Sequence, residues 1–395
     1  MAVAGIIAEF NPFHNGHMHL LSEAKKTADF AVVALGGNFT QRGEPALLPK
    51  RLRAEAALSC GADLVLELPL PFSLATAQTF ALGGVSVLSS LGLVDTLVFG
   101  SESGQTARLQ TAAEAVDDAR VDLLLRDAVK QGVPYAAARE AAVRTVFGSE
   151  VADILHNPND ILGVEYLRAA KQLDAHFKCV AVPRVGAAHD APTETGVFCS
   201  ATRLREKVRA GEDVSAFMPS ASLEVLQKAI ETQKAPSDYR KLDTAVLAFL
   251  RTASHENFAG VPDVAEGIEN RILSAAKSAQ TLWEVFDKAK TKRYTHARIR
   301  RVTLGAFLGL QTSFVQTGVP YLRVLGFTEG GKTLLRNARE TATKPIVMRA
   351  SDVQNLSPAV RKIFDLECKS TDIFNLTLPE IQPCGTEMTD NLVRI

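Results

Sequence analysis

Two short stretches hold side chains whose types and spacing could act on phosphate. The first, Glu9-Phe10-Asn11-Pro12-Phe13-His14-Asn15-Gly16-His17, sets two imidazoles three residues apart around an Asn-Gly pair. The second, Cys199-Ser200-Ala201-Thr202-Arg203-Leu204-Arg205, supplies two hydroxyls and two guanidiniums. Where such groups meet the start of a helix, unpaired backbone N–H groups and the positive end of the helix dipole complete an anion site. Each stretch also has a plainer reading: two ordinary histidines near a helix start, and a serine N-cap followed by solvated arginines. Zinc is a thinner alternative, because His-x-x-His has no third ligand close by. No metal-ligand set is expected.

The elements that must position these groups follow from the apolar pattern. Val3 to Ala8 has the length of a buried strand, and Gly16 to Lys26 reads as a helix, so His14 falls in the turn and His17 in the first helical turn. Phe30 to Leu35, Asp63 to Leu68 and Thr96 to Phe99 read as further strands, with helices over Pro49 to Cys60 and Ala75 to Leu91 between them. Strand and helix alternate with short joins, the signature of an α/β doubly wound parallel sheet. After mainly helical sequence over 105 to 147, His156-Asn157-Pro158-Asn159-Asp160 reads as a turn before a helix at Leu162 to Leu173, then a strand, Phe177 to Pro183, and a helix from Ala201 to Ala210. Beyond that the pattern is helical, with little strand signal until the last 30 residues. Two domains are expected, 1–212 and 213–395.

Bulk properties agree with a globular chain of 395 residues, 46% hydrophobic and 22% charged. Cys60, Cys179, Cys199, Cys368 and Cys384 are scattered and form no Cys-x-x-Cys. A disulfide framework is therefore not expected, and a reducing, cytoplasmic setting fits. No stretch approaches the roughly 20 apolar residues of a membrane span. Net charge is zero, but residues 288–349 carry 13 Lys/Arg against 2 Asp/Glu. Within that region Lys288 to Arg301 has seven cations, no acid and one tyrosine, a pattern suited to backbone phosphates and a stacked base of an RNA loop. Arg293, Arg298, Arg300 and Arg301 are the expected contacts. The residues themselves set no oligomeric state.

The His14-Asn15-Gly16-His17 turn and the Ser200 to Arg205 stretch together resemble the HxGH nucleotidyltransferase superfamily and its ISSTxIR-like motif, with Ala201 standing at the second serine. Closer still is the resemblance to the tRNA(Met) cytidine acetate ligases. It is carried by Glu9 to His17, Gly37-Asn38-Phe39-Thr40-Gln41-Arg42-Gly43-Glu44-Pro45, Asp63-Leu64-Val65-Leu66-Glu67-Leu68-Pro69, Gly100-Ser101-Glu102 and Asn159-Asp160-Ile161-Leu162-Gly163.

That resemblance implies a Rossmann-like fold of the HxGH nucleotidyltransferase type followed by a mainly α-helical, basic tRNA-binding domain with a C-terminal tail. It implies an enzyme that activates acetate with ATP as acetyl-adenylate and acetylates the wobble cytidine of elongator tRNA(Met). His14, His17, Ser200 and Thr202 would be catalytic. ATP would meet Ile7, Ala8, Glu9, Phe10, Asn11, Pro12, Phe13, His14, Asn15, Gly16, His17, Gly100, Asn159, Arg184 and Arg205. Mg²⁺ would shield the triphosphate. From the residues themselves, Gln41 and Arg42 either touch the acceptor or carboxylate or belong to a solvated loop, and the helix bearing Lys50, Arg51 and Arg53 would border the cleft. Glu67 would orient a cleft histidine or pair with an arginine. Rival readings are adenylylation of a small phosphorylated cofactor precursor, or RNA binding without catalysis. Gly326 to Thr333 matches GxxxxGK[ST], but a P-loop needs a longer strand before it and a carboxylate strand after it, so a capped helix is expected instead.

Overall fold

The computed structural model describes residues 1–185, 196–316 and 318–395. Its first half runs β1 (Val3–Ala8), α1 (Asn15–Thr27), β2 (Phe30–Gly36), α2 (Lys50–Ser59), β3 (Leu64–Leu68), α3 (Leu70–Ser73), α4 (Ala77–Ser90) and β4 (Thr96–Ser101). Then come α5 (Thr106–Val116), α6 (Ala119–Lys130), α7 (Tyr135–Phe147), α8 (Ser149–Ala152), α9 (Pro158–Gln172), β5 (Lys178–Pro183) and α10 (Ala201–Ala210). The rest comprises α11 (Ser220–Glu231), α12 (Asp243–Thr252), α13 (Ile268–Ala276), α14 (Leu282–Ala289), α15 (His296–Leu308), β6 (Leu322–Phe327), α16 (Glu329–Thr341), β7 (Ile346–Val347), α17 (Pro358–Asn375), α18 (Thr386–Thr389) and β8 (Val393–Arg394).

One sheet has the order β5-β4-β1-β2-β3-β6-β7, with β8 beside β6. The five strands of the first half are parallel. Because β1 leads to β2 on one side and lies against β4 on the other, the order reverses between β1 and β4. A crevice opens at the carboxyl ends of such strands. Buried on both faces, the strands read as apolar runs whose alternate side chains enter two cores. Val3, Ile7, Val32 and Ala34 go to one, while Ala4, Ile6, Val33 and Leu35 go to the other. A separate core holds the helical half, where Leu250, Ile272, Phe286 and Val302 pack with Phe39 and Leu70 from the first half. No helix of the described residues is long and apolar enough to cross a membrane.

The α/β order is as expected, but the paucity of strands beyond residue 212 is not. β6 joins the sheet antiparallel to β3. Its charged residue, Arg323, made the run look too short for a strand, yet it is only 4% exposed because Glu67 and Glu387 reach it inside the protein. The GxxxxGK[ST] match thus does follow a strand, but no phosphate cradle forms. Thr328 Oγ1 accepts from the Gly331 amide, capping α16, and Lys332 pairs with Glu329 on the same helix.

Candidate active site

β1 ends in a loop that Phe10 enters with a left-handed φ of 45°. His14 caps α1: its Nδ1 accepts from the Gly16 amide at 3.0 Å, and His17 Nδ1 accepts from the His14 amide at 3.3 Å. Since a backbone amide can only donate, both Nδ1 atoms are unprotonated, and each neutral ring must carry its proton on Nε2. The rings stack 3.7 Å apart, and Phe10 and Phe13 pack against His17. Burial, then the charges of Arg184 and Arg205, lower His14 to about 3. Burial, then His14 and Arg184, hold His17 well below its ordinary value. The pair therefore offers two N–H donors with no net charge of its own.

These values fix the sign of a pH effect. Between pH 6.5 and about 3 an unfolded chain takes up the proton that folded His14 refuses, so stability falls as pH drops through that window. ¹⁵N-edited NMR at pH 5 should show both rings neutral and protonated at Nε2. A midpoint near 6.5 for either ring in the folded protein contradicts the assignment.

A cavity of about 420 Å³ opens at the switch point. It is lined by Ile7, Ala8, Glu9, Phe10, Asn11, His14, Gly16, His17, Gly100, Asn159, Arg184, Ser200, Thr202 and Arg205, so stretches 190 residues apart in sequence share one wall. Three expected residues stand elsewhere. Pro12 and Phe13 face a small separate pocket behind the loop, and Asn15 Nδ2 ties down the carbonyls of Val197 and Ala216. Ser200 caps α10 through the Arg203 amide, and Arg205 donates to Asn11 O at 3.0 Å and Thr202 Oγ1 at 3.1 Å. The Gly-Ser-Glu and Asn-Asp motifs meet, since Glu102 accepts from the amides of Asn159 and Asp160 and from Asn159 Nδ2. Asn159 thus lies in the first turn of α9, which starts four residues earlier than expected because Pro158 can occupy a first helical position. The N-termini of α1, α9 and α10 all face the cavity, and their dipoles favour anions.

Thr40, Gln41, Arg42 and Glu44 form another wall. Lys50 and Arg53, expected beside the cleft, are instead 2% and 1% exposed. Arg53 donates to the carbonyls of Glu9, Gly36, Gly37 and Leu48, fixing the ends of β1 and β2. Tyr166 and Phe80, which also line the cavity, sit in ordinary apolar helix positions that carry no chemical signal in sequence.

A model of the family described as HIGH nucleotidyl transferase matches residues 1–388. A relative from Acetivibrio thermocellus named tRNA(Met) cytidine acetate ligase is 34% identical, with both chains covered completely. The chain belongs to that ligase family, within the HIGH nucleotidyl transferases. A ligase-family relative from Syntrophomonas wolfei is 35% identical over 96% of the chain and 95% of its own length. A crystal structure of Thermotoga maritima TmcAL bound with alpha-thio ATP has 32% identity, complete coverage of both chains and a TM-score of 0.93.

In this member of the ligase family, the basic segment turns largely inward. Arg298 donates to Asp263 O and pairs with Glu266, Arg301 pairs with Asp263 at 2.7 Å and donates to Gln41 O, and Arg300 is bonded to Glu44. Arg293 is the most exposed of the four, at 35%. Tyr294, expected to stack on a base, is buried and donates its hydroxyl to Glu266 O. Carboxylates distant in sequence neutralise these cations, and a charge count along the chain could not have shown that.

Proposed function

We propose that the protein uses ATP to activate acetate as acetyl-adenylate and transfers the acetyl group to the exocyclic amine of the wobble cytidine of elongator tRNA(Met), forming N4-acetylcytidine. The reading is carried by one observation: a neutral histidine pair, Arg42, Arg184, Arg205 and three helix N-termini meet in a single cavity, in a chain related over its whole length to proteins named tRNA(Met) cytidine acetate ligase.

The carboxylate of acetate would attack the α-phosphorus, and the bond to the bridging oxygen would break to release pyrophosphate. Charge gathers on phosphate oxygens in that step, so fixed donors lower its barrier. The Nε2–H groups of His14 and His17 would serve the α-phosphate. Ser200, Thr202, Arg184 and Arg205 would hold the outer phosphates, while Gly100, Asn159 and the Ile7 to Asn11 stretch would seat the nucleoside. An ideal Cβ at Gly100 comes no closer than 3.8 Å to protein, so the protein leaves room there and a nucleotide is what would need it. The cytidine amine would then attack the acetyl carbonyl carbon, AMP would leave with the oxygen of the mixed anhydride, and the amine proton would pass to solvent. No side chain need become a covalent nucleophile, and positioning supplies much of the rate.

Mg²⁺ is proposed to arrive with the triphosphate. Among the described residues no cluster of three His, Cys, Asp or Glu could hold a metal. Of the cavity carboxylates, Glu9 accepts from the Gln41 amide and Glu44 is bonded to Arg300. Phosphate oxygens and water would be its ligands. We assign catalysis to residues 1–212 with β6–β8 completing their sheet, and tRNA recognition to the rest of 213–395. Arg293 would reach the RNA backbone, whereas Arg298, Arg300 and Arg301 would shape the surface it meets. The exposed cations of this segment make RNA binding weaken steeply with salt.

The test is incorporation of labelled acetate into elongator tRNA(Met), read by nucleoside mass spectrometry, with controls lacking ATP or carrying another base for the cytidine. Acetylcytidine that requires both supports the reading. ATP consumed without acetylation points to another acceptor, and bound tRNA with intact ATP points to a binding protein. A sharper variant is Gly16→Ala: the new Cβ would lie 2.9 Å from His14 Cε1 and 3.1 Å from Nδ1. Displacing that imidazole should lower acetylation by about 10²-fold with ATP saturating, measured in the same assay.

A further inference from the structure

The only tryptophan of the chain, Trp283, is 55% exposed on α14, although few side chains gain more from burial. Its ring is nonetheless held in place. Tyr239 and Phe286 meet it in T-shaped contacts at 6.1 and 5.5 Å, and the Arg300 guanidinium lies over it, 5.6 Å from its centroid. Arg300 is also the partner of Glu44, whose side chain lines the cavity. Gly43, with φ of 76°, presses against α15, which carries Arg300, so closely that an ideal Cβ would lie 2.6 Å from Arg300 Cβ. A fixed, solvent-facing indole is therefore linked to the cavity wall through one guanidinium and one carboxylate. Lys288, Lys290 and Lys292 are exposed a few residues further along the chain.

We propose that Trp283 is the stacking platform for an unpaired base of the RNA loop whose cytidine enters the cavity. The inference rests on the tRNA reading above and adds to it the residue that holds the loop. Three features favour RNA over a protein partner. A base that must be drawn into a cavity leaves its neighbours unstacked, and aromatic side chains take up such bases. A flat ring braced by an arginine suits any base, because every base has a π-face. The lysines that follow carry the charge sign a loop backbone requires.

Having one tryptophan makes the test direct, since emission excited beyond the absorption band of the tyrosines reports on Trp283 alone. Wild-type protein without ATP or acetate is titrated with an anticodon stem–loop RNA, and filter binding is measured in parallel. Emission should be quenched along the binding curve, and acrylamide should lose access to the ring. Trp283→Ala should raise KM for the stem–loop by about tenfold, as loss of one stacked base does, with kcat nearly unchanged, the mark of lost uniform binding. Trp283→Phe, which keeps a ring and guards against misfolding, should recover most of that loss. RNA that binds without changing the emission, with a wild-type KM in Trp283→Ala, overturns the platform and leaves the tRNA reading standing. Absence of RNA binding overturns both. Emission that shifts with protein concentration alone places a second copy on the indole and overturns the proposal.

Discussion

Replacing His17 with alanine is expected to lower acetate-dependent exchange of pyrophosphate into ATP by about 10²–10³-fold, as removal of one preorganised donor to a developing oxyanion does. Affinity for the stem–loop RNA should stay within about twofold, because the imidazole lies in the cavity rather than on the basic surface. The ring has a second task, which complicates the alanine variant: its Nδ1 accepts from the His14 amide, and losing such a cap costs about 1 kcal/mol. Asparagine separates the two tasks. Its side-chain oxygen falls near the position of Nδ1 and can keep the cap, but nothing reaches the position of Nε2. His17→Asn should therefore melt like the parent while exchanging as poorly as His17→Ala. Exchange within threefold of the parent in both variants would remove His17 from the chemistry.

The part of this site that could be read from sequence is the part built locally. A strand, a turn and a helix start occupy consecutive residues, so the placement of His14 and His17 follows from Val3 to Lys26 alone, and the Ser200 cap likewise follows from its own helix. The alternation of apolar runs also gives the five parallel strands. What could not be read depends on partners far along the chain. Arg300 looked like a phosphate contact because Glu44 is 256 residues away. Lys50 and Arg53 looked like cleft cations because the carboxylates and carbonyls that bury them lie on other elements. β6 was hidden by the charge of Arg323, which only the folded protein neutralises. Each of these four arginines and lysines is solvated in an unfolded chain and ion-paired or hydrogen-bonded in the folded one.

Lys50 gives the sharpest stability test of that idea. Its ammonium, 2% exposed, contacts Glu67, Glu387 at 2.6 Å and Glu367 at 3.9 Å, and Arg323 completes the cluster through Glu387 at 2.5 Å and Glu67 at 3.5 Å. Burial and the neighbouring Glu67 charge raise the Glu367 pKa, so this carboxyl holds its proton, whereas at Glu387 burial is outweighed by Lys50 and Arg323 and the carboxylate stays ionised. Lys50 and Arg323 then face the side chains of Glu67 and Glu387 inside the protein, and Arg51 reaches Glu387 from the edge of the cluster at 3.9 Å. Lys50→Met keeps the volume and removes one cation, leaving an uncompensated buried carboxylate at a cost of about 3–5 kcal/mol, measurable by urea denaturation at pH 7. Glu367→Gln should behave in the opposite way. Between the ordinary glutamate value and its raised one, folded Glu367 holds a proton that the unfolded chain releases, so the parent loses stability as pH rises through that window. Glutamine cannot ionise and can still accept the Leu70 amide that Glu367 now accepts. The variant should match the parent at low pH and gain on it as pH rises. A Lys50→Met protein as stable as the parent, or a Glu367→Gln protein as damaged as Lys50→Met, would show that charge balance is not what joins α2, β3, β6, α17 and α18.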